Sequence, residues 1–191
     1  MRKLAAAAAL ALMTWCPGAV GQDQAGESCT RSLSDLSEVI DCLARIPTAR
    51  PFNDATGQAC ATLESTTFVR PAQGKLVMRY GEASPYGNRS KGVVIETANA
   101  GQVVAPADSL VLYVDEFRSY GRILILEPGC GARFLIAGLS ATRVARGQIV
   151  RAGEAVGVMA SGSSPGYAPV LYVEFRRDDR PVDPGPDITG Q

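Results

Sequence analysis

The chain contains no histidine in its 191 residues. That absence removes Ser–His and Cys–His nucleophilic catalysis, and with them every zinc site built on imidazole. A surplus of one charge is missing too. Lys+Arg 19 balance Asp+Glu 19, which argues against a nucleic-acid partner, where a basic excess is the rule. Beyond residue 22 no apolar run reaches the roughly 20 residues needed to span a bilayer, so no membrane partner is expected after export. What is present suits a folded domain. Hydrophobic residues make up 46% and charged residues 20%, enough for a core and too apolar for wholesale disorder. The length fits one domain with a short appendage.

The N-terminus reads as a secretory signal. Arg2 and Lys3 precede an apolar stretch over 4–15, and Ala19, Val20 and Gly21 supply small residues before a cleavage expected near Gln22. Cys16 follows the bulky Trp15, a poor lipoprotein context, and is expected to leave with the signal. Removal of Arg2 and Lys3 leaves the exported chain faintly acidic. Cys29, Cys42, Cys60 and Cys130 then remain. An even number in an exported chain predicts two disulfides, and three pairings are open. A Cys29–Cys42 bond could not bridge an unbroken helix, whose 13 residues would span roughly 20 Å.

Three segments follow: the signal at 1–21, a cysteine-containing segment at 22–66, and a domain at 67–191. Leu33, Leu36, Val39, Ile40, Leu43 and Ile46 recur at helical spacing, with Ser32 as N-cap and Pro47 beyond the end. This predicts a short helix over 33–46, held against the domain through Cys42. From Phe68 the pattern changes to short apolar runs between Gly and Pro turns. Strands are expected at 74–80, 92–97, 102–105, 109–115, 122–127, 133–136, 155–159 and 170–176, with a brief turn or helical insertion at 139–143. Many short strands at this spacing predict a mostly β, antiparallel sandwich or open barrel.

Phe68 to Lys75 with Arg79-Tyr80-Gly81-Glu82 are followed by Val103 to Asp108, by Tyr120-Gly121 with Ile123-Leu124-Ile125, and by Gly147 to Gly153. Leu171 to Arg176 and Pro181-Val182-Asp183-Pro184 end the series. In this order the segments resemble the opening, middle and close of the LytM/lysostaphin-type zinc metallopeptidase domain. The resemblance covers about residues 68–188 and implies the duplicated hybrid-motif β fold of that family. It also implies where chemistry should sit. The family's first histidine and aspartate fall on Ser90 and Val94, its next histidine on Gly138, and its closing His-x-His on Val170 and Tyr172. None of these groups holds zinc as those residues do. The resemblance therefore implies a protein without metal, cofactor or catalytic residues.

Lys91 to Ile95 and Leu171 to Arg176 are closer to the murein hydrolase activators of the EnvC-like kind, which resemble a LytM domain whose catalytic groups have been lost. This implies a periplasmic protein that binds and activates a peptidoglycan N-acetylmuramoyl-L-alanine amidase through the former active-site groove, in wall remodelling and cell separation. Lys91, Val94, Tyr120, Tyr172 and Arg176 are the groove residues implied. Val94 would line the floor, the two tyrosines would anchor a partner helix, and Lys91 and Arg176 would meet its acidic groups. Tyr172 and Arg176 are four apart on a strand and so share a face; Glu174, between them, is given no part. Plainer roles stay open: Val94 as core, Tyr120 as a brace for its hairpin, and 176–179 as a solvated charge run at a sheet edge. A peptidoglycan-binding or scaffolding module with no amidase partner is the alternative function. The helix at 33–46 could also cover the groove, in which case deleting 22–66 would change partner affinity.

Overall fold

The structure is a computed structural model, and it describes residues 67–83, 87–117, 120–129, 131–161 and 168–189, together with Glu38 and Cys42. The signal, most of the helix expected over 33–46, the segment at 47–66, and Cys29, Cys60 and Cys130 lie outside the described residues. Glu38 and Cys42 are both helical. Cys42 is disulfide-bonded, to a partner outside the described residues.

Eleven strands and one short helix follow in the described chain: β1 (Gly74–Met78), β2 (Val93–Thr97), β3 (Gln102–Val104), β4 (Ser109–Glu116), β5 (Arg122–Gly129), β6 (Ala132–Leu139), β7 (Ala141–Thr142), β8 (Ile149–Val150), β9 (Ala155–Val158), β10 (Val170–Arg177), β11 (Arg180–Val182) and α1 (Pro186–Thr189). They form two open antiparallel sheets. The larger runs β1-β2-β10-β6-β5-β4-β8, with β11 added on β10; the smaller is β3-β9-β7. The mostly β antiparallel architecture read from the sequence is the one observed.

Strand parity builds the core. On β10, Leu171, Val173 and Phe175 point inward and are buried, as alternation on a pleated strand requires. They pack with Leu124, Leu126, Phe134 and Ile136 of the large sheet and with Val103 and Val156 of the small one. Phe134 stacks on Phe175 at 4.6 Å between centroids, and Phe68 meets both rings edge-on at 4.9 and 5.1 Å. The central strands β5 and β6 are apolar on both faces, as expected of strands covered on both sides. Their other residues, Ile123, Ile125, Leu135 and Ala137, form a second cluster on the outer face, against which Cys42 and Tyr172 pack.

Three short strands were not expected, and neither was α1. Leu139 ends β6 and Ala141–Thr142 forms β7, in place of the insertion expected at 139–143. The correction has a physical reason. Ala141 and Thr142 pair with Val158 and Gly157, so their strand character comes from a partner distant in sequence. β8 likewise exists through Ser109 and Leu110 of β4. β11 returns from β10 by a two-residue turn in which Asp178 and Asp179 both have positive φ, 46° and 61°. That is the primed turn matched to strand twist, here built with Asp rather than Gly.

The aromatic trio gives the first test. Phe134→Ala should lower unfolding free energy by about 3–5 kcal/mol, measured by urea denaturation. A loss well under 1 kcal/mol would mean the rings do not carry the core.

Candidate functional site: a groove over the outer face

The outer face of the large sheet carries a row of side chains across four strands. Val94 of β2 is opposite Tyr172 of β10, Tyr172 is opposite Ala137 of β6, and Ala137 is opposite Ile123 of β5. Above this row lies a groove of about 560 Å³, lined among others by Val94, Tyr120, Gly138, Val170 and Tyr172. Small residues make its floor: Ala137, Gly138 and Gly121. Tyr120 and Val170 stand at its walls, 45% and 49% exposed. Tyr120 lies near-parallel to Phe117, with ring centroids 6.0 Å apart. The Phe117 amide donates to the Gly121 carbonyl at 2.9 Å and closes the hairpin. Gly121 has φ +73°, where a β-carbon is strained.

Five of the residues named from the sequence therefore meet in one groove. The others sit elsewhere. Ser90 and Lys91 precede β2 and do not line it. The Ser90 hydroxyl donates to the Gly92 carbonyl at 2.7 Å, and Lys91 is half-buried. Arg176 is buried, 2% exposed, which contradicts the open, partner-facing position expected of it. Its guanidinium belongs to the sheet. Nε donates to Glu174 Oε1 at 2.6 Å, and Nη1 donates to the Asp179 carbonyl at 3.4 Å. The solvated charge run holds for Asp178 and Asp179, which are exposed, and fails for Arg176.

Glu174 is the residue that sequence reasoning missed. It is 1% exposed, and its second oxygen, Oε2, accepts from the Tyr172 hydroxyl at 2.6 Å. The signal was available: positions 172, 174 and 176 are two apart, so all three share one face of β10. Desolvating a carboxylate is tolerated when it is paired and hydrogen-bonded, and here a cation and a phenol fill that need. Removing one member of such a buried pair typically costs about 3–5 kcal/mol. Next along the face, Arg133 is opposite Arg176 and reaches Asp179 at 3.2 Å. Burial pushes the carboxyl of Glu127 above its ordinary range, with Arg133 partly opposing the shift.

The resemblance would put the family's metal positions at Ser90, Val94, Gly138, Val170 and Tyr172. Ser90, Val94, Val170 and Tyr172 offer no histidine or aspartate, and Gly138 offers no side chain. At Gly138, φ is +103°, and a β-carbon would lie 2.4 Å from the Val170 carbonyl oxygen. The backbone of Val170 leaves no room for a side chain at Gly138, so the residues present do not fit zinc. Among the described residues, no group of three or more His, Cys, Asp or Glu gathers at a metal-holding distance.

The two open antiparallel sheets define a β fold of the metallopeptidase type. The model of Peptidase family M23 matches residues 88–184, just over half the chain, and the chain belongs to that family. It is similar to the murein hydrolase activator EnvC of Escherichia coli (strain K12), 34% identical over 116 residues, covering 61% of this chain and 27% of that one. It is also similar to the protein NMB1333 of Neisseria meningitidis serogroup B, 32% identical over 115 residues, covering 60% and 19%. The chain thus spans about a quarter or less of the length of these curated relatives. Two solved structures share the fold. A putative M23 peptidase from Pseudomonas aeruginosa has a TM-score of 0.57 at 20% identity, covering 82% of this chain and 60% of that one. Lysostaphin has a TM-score of 0.54 at 20% identity, covering 66% and 55%.

Gly138→Ala should destabilise the domain by about 1–3 kcal/mol from backbone strain alone, and Gly138→His by at least as much, measured by thermal unfolding. A neutral effect of either would show that the backbone can still accept a ligand there.

Proposed function

We propose that this chain is a non-catalytic regulator that binds and activates a peptidoglycan N-acetylmuramoyl-L-alanine amidase through the groove over β2, β10 and β6, in cell wall remodelling and cell separation. The observation that carries the proposal is the groove itself. It is lined by Val94, Val170, Tyr120 and Tyr172, Gly138 is sealed by backbone, and the resemblance to the family would put its metal site at these residues. Such a lining suits the apolar face of an amphipathic helix, with Tyr120 and Tyr172 as the aromatic anchors that dominate such contacts. The similarity to a murein hydrolase activator points the same way, as does the signal-like leader, which would deliver the chain to the periplasm.

Tyr172 and Val94 would meet the partner, while Arg176, further along the same face of β10, is bound to Glu174. No helix among the described residues is long and apolar enough to cross a membrane. The pairing of Cys29, Cys42, Cys60 and Cys130 would fasten the 22–66 segment to the domain.

The test is release of dye from labelled murein by purified amidases with and without this protein. The chain alone should release none, with or without added zinc, and should stimulate an amidase of its own bacterium. Tyr172→Ala should reduce that stimulation at least about tenfold, the loss of roughly 1.4 kcal/mol of contact, in an assay run well below the variant's thermal midpoint, which loss of the hydrogen bond to Glu174 lowers. Full stimulation by Tyr172→Ala would remove the groove from the account.

A further inference from the structure

We infer that Glu174 is a positioning residue for the groove: its buried carboxylate fixes the Tyr172 hydroxyl, and Arg176 serves the groove as the counter-ion of that carboxylate rather than as a contact to the partner. The inference rests on the groove being the binding site and adds how its central side chain is held.

The geometry is specific. One carboxylate oxygen accepts the Tyr172 hydroxyl and the other accepts Arg176 Nε, both at 2.6 Å. The ion pair is nearly sealed, with side chains 3% and 1% exposed for Arg176 and Glu174. Tyr172 is half-buried and lines the groove. A tyrosine ring turns about two side-chain torsions, and a charge-assisted hydrogen bond at its tip removes that freedom before a partner arrives. Arg176 lies four residues further along the strand from Tyr172, so Glu174 separates it from the groove. Its influence on Tyr172 is therefore transmitted through Glu174.

This makes the pair replaceable as a pair. In Glu174→Gln/Arg176→Gln, the amide introduced at position 174 can still accept the Tyr172 hydroxyl through its carbonyl oxygen. Its nitrogen can donate to the amide introduced at position 176. Arg176→Gln alone leaves a buried carboxylate without its counter-ion, which disturbs Glu174 and hence Tyr172.

The experiment uses the full exported chain labelled with ¹³C at the tyrosine ζ carbon, with Tyr172→Phe to assign the resonance. Arg176→Gln should move the Tyr172 signal, and the double variant should return it towards the parent position. In murein dye release with the amidase, Arg176→Gln should raise the half-stimulating concentration at least about tenfold, and the double variant should stay within about threefold of the parent. If Arg176→Gln proves too unstable to study, Glu174→Leu/Arg176→Leu removes the acceptor without leaving a buried charge unpaired, and the Tyr172 signal should move and stimulation be lost. An unmoved Tyr172 signal in Arg176→Gln, or in Glu174→Leu/Arg176→Leu, would overturn the inference without touching the groove. A restored signal with stimulation still lost in the double variant would overturn it in another way, by placing Arg176 in direct contact with the partner. Normal stimulation by Tyr172→Ala would instead defeat the groove itself.

Discussion

A carboxylate placed almost out of water, on the face of a strand, needs an opposing charge and a full set of donors, and Glu174 has both. Arg176 supplies the charge and Tyr172 supplies a hydroxyl, each from the same strand and the same face. The consequence runs outward from that point. The three side chains lock the outer face of β10 into one arrangement. That arrangement sets the ring of Tyr172 against Val94 on one side and Ala137 on the other. The groove's central wall is thus a by-product of satisfying a buried acid.

Beneath this network the sheet is ordinary in its physics. Central strands apolar on both faces tie the inner core to an outer cluster, and Phe68, Phe134 and Phe175 fill the space between the two sheets. The unusual feature is above it. Gly138 takes a left-handed φ directly against the Val170 carbonyl, so the backbone itself leaves no room for a side chain there. A strip without ligands, floored by small residues and walled by tyrosines and valines, gains most by covering its apolar surface.

Eight of the strands announce themselves in the sequence by alternation and by Gly and Pro turns. Val94, Tyr120 and Tyr172 do meet in one groove. What escaped the sequence was long-range. β7 and β8 are two-residue strands that exist only through partners across the fold, and no local pattern marks them. The β10–β11 hairpin uses Asp178-Asp179 where the usual signal is Asn-Gly or Asp-Gly. Arg176 is the most instructive case. Its charge suggested a solvent-facing contact, whereas parity along β10 places Glu174 beside it, and burial then makes the two partners of each other. Counting positions by two would have found Glu174; nothing in the sequence could have reported its depth.

A protein partner seated in the groove over β2, β6 and β10 would shield its backbone amides, which hydrogen–deuterium exchange of the full exported chain, alone and with a stimulated amidase at saturation, reads out. Protection should appear in peptides covering 92–97, 134–140 and 168–174, with β8 and the turn before it unchanged. Protection confined to surfaces away from those three segments, with stimulation intact, would contradict that seating.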